Sequence, residues 1–270
     1  MRRSLFLAHL KMGRWGVVAW AGSFFVFGLF VMYMHPFMAG AEGMSSYVEN
    51  LPEAIKIAGG FGGVSLSGGL LSLEIWVVTE FLGWWPLIVG VYAIFAAGGI
   101  AAREVERGTM DLVLAQPVRR YQVLASKFAV FLAGLIGIAL ASLIGLILGL
   151  ALIETDASLK AISLGLAPGL LLVLAIGSYS VLFSCVFLDS RKTLTASGSL
   201  TAALYILNFM APSLGKLEPV NRLSLFYYYR PYQVVHTSTL DWTGAGIFLA
   251  VAVVCFVAAV VVFQRRDITA

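Results

Sequence analysis

Arg103-Glu-Val-Glu-Arg-Gly-Thr-Met-Asp-Leu-Val-Leu-Ala-Gln-Pro-Val-Arg-Arg-Tyr-Gln-Val-Leu-Ala-Ser-Lys127 carries eight charged side chains between two long apolar runs. A cluster of that density belongs in water, whereas the runs beside it are stable only out of it, so the stretch reads as a loop between two membrane-spanning helices. Composition agrees. Of 270 residues 60% are hydrophobic and 12% charged, and a mean hydropathy of +0.92 leaves too little polar surface to cover a soluble core.

Outward from the loop, six segments are long and apolar enough to cross a bilayer, about 15–35, 84–102, 128–153, 161–187, 194–214 and 244–263. With six spans, one side collects Arg2, Arg3, Lys11, Arg14, Arg103, Arg107, Arg119, Arg120, Lys127, Arg191, Lys192, Arg265 and Arg266, which is 13 of the 18 basic residues. Lys56, Lys160, Lys216, Arg222 and Arg230 remain for the other. The positive-inside rule then puts both termini and the 103–127 loop in the cytoplasm of a cell-membrane protein. No linker, repeat or low-complexity tract divides the chain, so residues 1–270 read as one all-α polytopic membrane domain.

The first span is expected to stop at His35-Pro36, because proline disfavours helix in the residue before it. Ala39-Gly40-Ala41 resembles a signal-peptidase site, but the apolar stretch ahead of it is longer than a signal core, and a retained anchor is expected. In the first external segment Asn50-Leu-Pro-Glu53 looks like a helix start and Gly59-Gly60 its stop. Leu70–Leu82, with Glu74 and Glu80, is either an interfacial helix or an extension of the second span. Phe226-Tyr-Tyr-Tyr-Arg-Pro-Tyr232 suits the membrane interface, as a plain loop or as a tucked, partly re-entrant pair of helices.

Within the loop, Thr109 can cap a short helix with Asp111 in its first turn. Pro117 ends that helix and opens the next, which carries Arg119 and Arg120 through Lys127 into the third span. A short helix held between two spans suits mechanical coupling. The plainer account is that the basic residues are topogenic anchors and that Glu104 and Glu106 pair locally with Arg103 and Arg107.

The run Glu104-x-Glu106-x-Gly108-Thr109-Met110-x-x-x-Leu114-x-x-Pro117-Val118-x-Arg120, followed by Lys127, resembles the signature of ABC-2-type transporter permeases. Phe263-Gln-Arg-Arg-Asp267-Ile268 is similar to the ending common in that group, and Pro52-Glu53-Ala54 to its first external loop. The resemblance implies the membrane half of an ABC exporter, whose 103–127 loop is a coupling helix docking on a separate ATPase subunit. It also implies that residues 1–14 form an amphipathic interface helix on membrane lipids. Arg103, Glu104, Glu106, Arg107, Gly108, Thr109, Asp111, Pro117, Arg119, Arg120 and Lys127 are then the ATPase-coupling residues.

No G-x-x-x-x-G-K-[ST] phosphate loop occurs. The chain is therefore expected to be no enzyme and to hold no cofactor, with ATP and Mg bound by the partner ATPase and a second permease copy or paralogue completing the transporter. Cys185 and Cys255 lack any ligand spacing, and His9, His35 and His236 are isolated, so no metal or catalytic residue is expected. The basic residues form no stripe with interleaved aromatics, which excludes nucleic acid. Ser142, Ser178, Tyr179, Ser180, Ser184, Thr201, Tyr205 and Asn208 are the polar residues within spans. They either line a translocation path or pack helices together, and Gly145 and Gly149 read first as a close helix contact. A secondary carrier or channel is the alternative. Spans three to six hold no buried charge for ion coupling and show no inverted halves, which counts against it.

Overall fold

A computed structural model describes residues 3–39, 72–108, 120–153, 158–210 and 218–266. Among these there is no strand. The helices are α1 (Arg3–Ala39), α2 (Leu73–Val77), α3 (Trp85–Glu106), α4 (Arg120–Leu152), α5 (Leu159–Phe187), α6 (Ser190–Met210), α7 (Glu218–Asn221), α8 (Pro231–Thr237) and α9 (Trp242–Arg265). A π-helical turn, Val78–Leu82, joins α2 towards α3, and a 3-10 turn, Leu225–Tyr228, lies between α7 and α8.

Among the described residues, five helical stretches are long and apolar enough to cross a membrane: Arg14–Met38, Leu73–Glu106, Arg120–Leu152, Leu159–Phe187 and Trp242–Arg265. Their outer faces are what lipid requires. Ile136, Leu140, Ile144 and Leu148 form an exposed stripe along α4, and Leu249, Val253, Val257 and Val261 form another along α9. Four-residue spacing puts each set on one helix face, and an apolar stripe of that length is costly in water but neutral in hydrocarbon. Helix α6 has 21 residues and only Thr193 and Ser197 buried.

Two expectations about boundaries change. Helix α1 runs through Pro36 to Ala39, because a proline in the last turn forfeits one backbone bond at a helix end that is already short of partners. The same helix begins at Arg3, so residues 3–14 continue into the span without a break. Of the Leu70–Leu82 segment, the structure describes Ser72 onward. Its helical turns run on into α3, giving a stretch of 34 residues, about 50 Å at 1.5 Å per residue, which must tilt or project beyond a hydrocarbon core of about 30 Å. The expected helix at Asn50–Gly60 lies outside the described residues.

Helix α5 is the centre of the bundle, packing against α3 and α9 most extensively and also against α6, α8 and α4. Ser158 caps its start by accepting from the Ala161 amide, and Leu188 ends it in the left-handed conformation at φ 53°. The segment that carries the aromatic run 226–232 packs against the bundle. Phe226, Pro231, Val234 and Val235 are buried, and the Tyr229 hydroxyl donates to the Leu82 carbonyl at 2.6 Å.

Helix α1 packs chiefly on α4, and the contact depends on glycine. A Cβ on Gly145 would lie 2.3 Å from the Phe25 carbonyl oxygen, and one on Gly149 2.5 Å from Met32 Cβ. The two backbones approach closely because lipid supplies no hydrophobic drive between helices and dispersion contact must do so.

Candidate functional site

The 103–127 loop leaves α3 and enters α4, and both flanks are tied to other parts of the bundle. On α3, Ile100 and Glu104 are four residues apart and share a face. Lys127 on α4 reaches both: its Nζ is 2.8 Å from Glu104 Oε1 and donates to the Ile100 carbonyl at 3.2 Å. Lys127 is only 9% exposed, so the pair is partly shielded from water: its attraction is screened less than that of a surface pair, and the desolvation of the ammonium offsets that gain.

Glu106 points elsewhere, since neighbours two apart on a helix do not face each other. Its carboxylate accepts from the Ser190 amide and from Ser190 Oγ, each at 2.7 Å. Asp189 Oδ1 accepts from the Lys192 amide at 2.9 Å, so the first turn of α6 receives two carboxylates where its free amides and helix dipole favour negative charge. Among the described residues, Glu104 meets Lys127 and Glu106 meets Ser190, both on other helices.

The far end of the chain closes the arrangement. Arg266 donates to the carbonyls of Cys185, at 3.2 Å, and Val186, which are orphan acceptors in the last turn of α5. Arg120, at the start of α4, donates to the Arg266 carbonyl at 2.7 Å. One flank of the loop is thereby fixed to the start of α6, the other to the ends of α9 and α5.

Gly108 terminates α3 at φ +63°, a conformation that favours glycine, with its amide on the Val105 carbonyl at 3.0 Å. Arg107 is exposed beside it. The Arg103 guanidinium folds back along α3 to the Phe95 carbonyl at 3.3 Å, over Gly99. Thr109, Asp111, Pro117 and Arg119 lie outside the described residues. Ser190 was not among the candidates, although Asp189-Ser190 ahead of an apolar run is a recognisable helix start.

The polar span residues divide into separate groups. Ser142 is fully buried, accepting from Trp85 Nε1 at 2.9 Å and donating to the Ile138 carbonyl at 2.8 Å. Ser184 Oγ accepts from the Ala101 and Ala102 amides at 3.1 and 3.0 Å, joining α5 to α3. Ser178 and Ser180 donate to carbonyls one turn back. Tyr179 and Thr201 share a hydrogen bond between α5 and α6. Tyr205 meets Phe226 edge-on, ring centroids 5.3 Å apart, and Asn208 is half-buried on α6. Replacing Ser142 with alanine should cost about 1–3 kcal/mol by leaving the buried indole N–H unpaired, readable as a lowered unfolding midpoint. The Trp85→Phe/Ser142→Ala pair should recover part of it.

A bundle of long apolar helices with lipid-facing stripes defines a multi-pass membrane protein. The family model described as "ABC-2 family transporter protein" matches residues 24–268, and the chain belongs to that family. It is thus a membrane permease subunit of an ABC transporter, a class that partners with ABC ATPase subunits. No curated protein matches the chain.

Proposed function

We propose that this permease has six spans in the cell membrane, with α6 as the fifth and both termini and the 103–127 loop in the cytoplasm, and that it takes part in ATP-driven export. A separate ATPase binds ATP and Mg and docks on the loop. A second permease copy or paralogue completes the path. The observation that carries this reading is the double fastening of the loop: Glu106 caps α6 through Ser190, and Arg120 holds Arg266, which caps α5. Motion imposed on the loop therefore reaches α5, α6 and α9 through hydrogen bonds as well as through α3 and α4. The excess of 13 basic residues over 5 supports the cytoplasmic placement.

Helix α6 suits a role beside the path. Thr193 and Ser197 face inward, while Ala202, Ala203, Ile206 and Met210 are exposed and available to a second permease. Tyr205 and Asn208, half-buried on the same helix, would stand at the border of such a seam.

The test is co-purification with the ATPase and measurement of its substrate-stimulated turnover. Glu104→Lys, Glu106→Lys and Arg120→Glu together should abolish the stimulation, in samples shown to be monodisperse. An ATPase that stays bound with unchanged stimulated turnover would sink the coupling assignment.

A further inference from the structure

A cavity of about 510 Å³ opens between α1, α3 and α4 near the 103–127 end of the bundle. Its volume falls in the range of small-ligand pockets, about 300–1,000 Å³. Its inner wall is apolar and aromatic, with Trp20, Tyr92, Phe95 and Phe131, whereas Arg103, Arg107, Lys127 and Glu104 surround its mouth. Three cations against one carboxylate leave the mouth positive, and Glu104 is already engaged with Lys127 at 2.8 Å.

The position of Arg103 is unusual for a residue at the end of a membrane helix. Long basic side chains there normally extend towards water. This one turns back along α3, its guanidinium reaching the Phe95 carbonyl and lying over Gly99, where a Cβ would come within 2.9 Å of the guanidinium carbon. The absent side chain at Gly99 lets the charge lie against the apolar wall. A second cavity, about 330 Å³ and lined by Ala19, Ser23, Phe24, Phe27 and Ile88, shares Trp20 with the first and continues it along α1.

We infer that this cavity binds one anionic phospholipid, with the phosphate between Arg103 and Arg107 and an acyl chain running past Phe95 and Trp20 towards Phe27. A soluble phosphate would use the arginines and leave the aromatic wall empty; a neutral lipid would use the wall and leave the positive mouth unanswered. The inference requires that the chain span a membrane and is independent of ATPase docking.

Native mass spectrometry of the full-length permease, released from nanodiscs containing equal phosphatidylglycerol and phosphatidylcholine of identical chains, tests it. One phosphatidylglycerol should remain per chain, in clear preference to phosphatidylcholine. Losing two charge-assisted contacts in Arg103→Gln/Arg107→Gln should lower retention roughly tenfold or more. Ala96→Phe, which fills the cavity while keeping both arginines, should lower it as well, and Arg191→Gln, an exposed arginine elsewhere, should not. Equal retention of the two lipids, undiminished retention in both cavity variants, or displacement of the lipid by millimolar glycerol phosphate would each overturn the assignment.

Discussion

Gly145→Ala should destabilise the full-length protein by about 1–3 kcal/mol, the usual cost of forcing atoms into a filled contact, and Gly145→Ile by more. The new methyl group would lie 2.3 Å from the Phe25 carbonyl oxygen. That oxygen belongs to the backbone, so relief requires α1 and α4 to part along their length. Separation would loosen neighbouring close contacts too, including Gly28 against Leu146 and Gly149 against Met32. Gly22→Ala is the matched control, because nothing lies within 4 Å of a Cβ there, and it should stay within about 0.5 kcal/mol of the parent. Unfolding in a denaturing detergent series reads the difference. Coincident curves for Gly145→Ala and Gly22→Ala would mean that the α1–α4 crossing is not held by this contact.

The second large effect is expected at Lys127. Removing one member of a buried ion pair strands the other, at about 3–5 kcal/mol when both are fully enclosed. Glu104 retains 22% exposure, so Lys127→Met should fall towards the lower end. The same change also removes the donor to the Ile100 carbonyl. Glu104→Gln/Lys127→Met should recover much of the loss, because no stranded carboxylate remains. A double-mutant cycle on unfolding free energy measures this coupling directly. If the losses from the two single changes simply add, the ion pair does not fasten α3 to α4.

Hydropathy was sufficient to locate the long helices, since a bilayer demands about 20 apolar residues per crossing and little else in a chain imitates that. It was less informative about where helices end. The bias that proline places on His35 is a local preference, and α1 overrides it with the rest of its helix and its packing on α4. Helix α6 shows the opposite limit. Its run 194–214 reads as a span, yet its hydroxyl residues Thr193, Ser197 and Thr201 lower its hydropathy, and it is not among the five stretches that meet the length and hydropathy of a crossing.

The site was legible as a cluster and illegible as a set of pairs. Charge density isolated 103–127, but the partners of Glu104, Glu106 and Arg120 are Lys127, Ser190 and Arg266, the last two separated from them by 84 and 146 positions. Only folding brings those groups together, and the partner of Arg120 is a main-chain carbonyl that no side-chain pattern can announce. The paired glycines at 145 and 149 were different. Small residues one turn apart in an apolar helix have few uses besides close approach, and α1 lies against both.

The glycine-dependent union of α1 with α4 has a mechanical consequence. These two helices form one slab, while α3, α5 and α9 form another. Ring contacts cross the boundary between them, among them Phe24 with Trp85, Tyr92 with Phe131, and Phe128 with Phe256. Such contacts resist separation more than sliding. The 103–127 loop spans this boundary, leaving the second slab at α3 and entering the first at α4. A force on it would therefore act as shear, and the Lys127–Glu104 ion pair, close to the loop, would be among the first attachments to feel it.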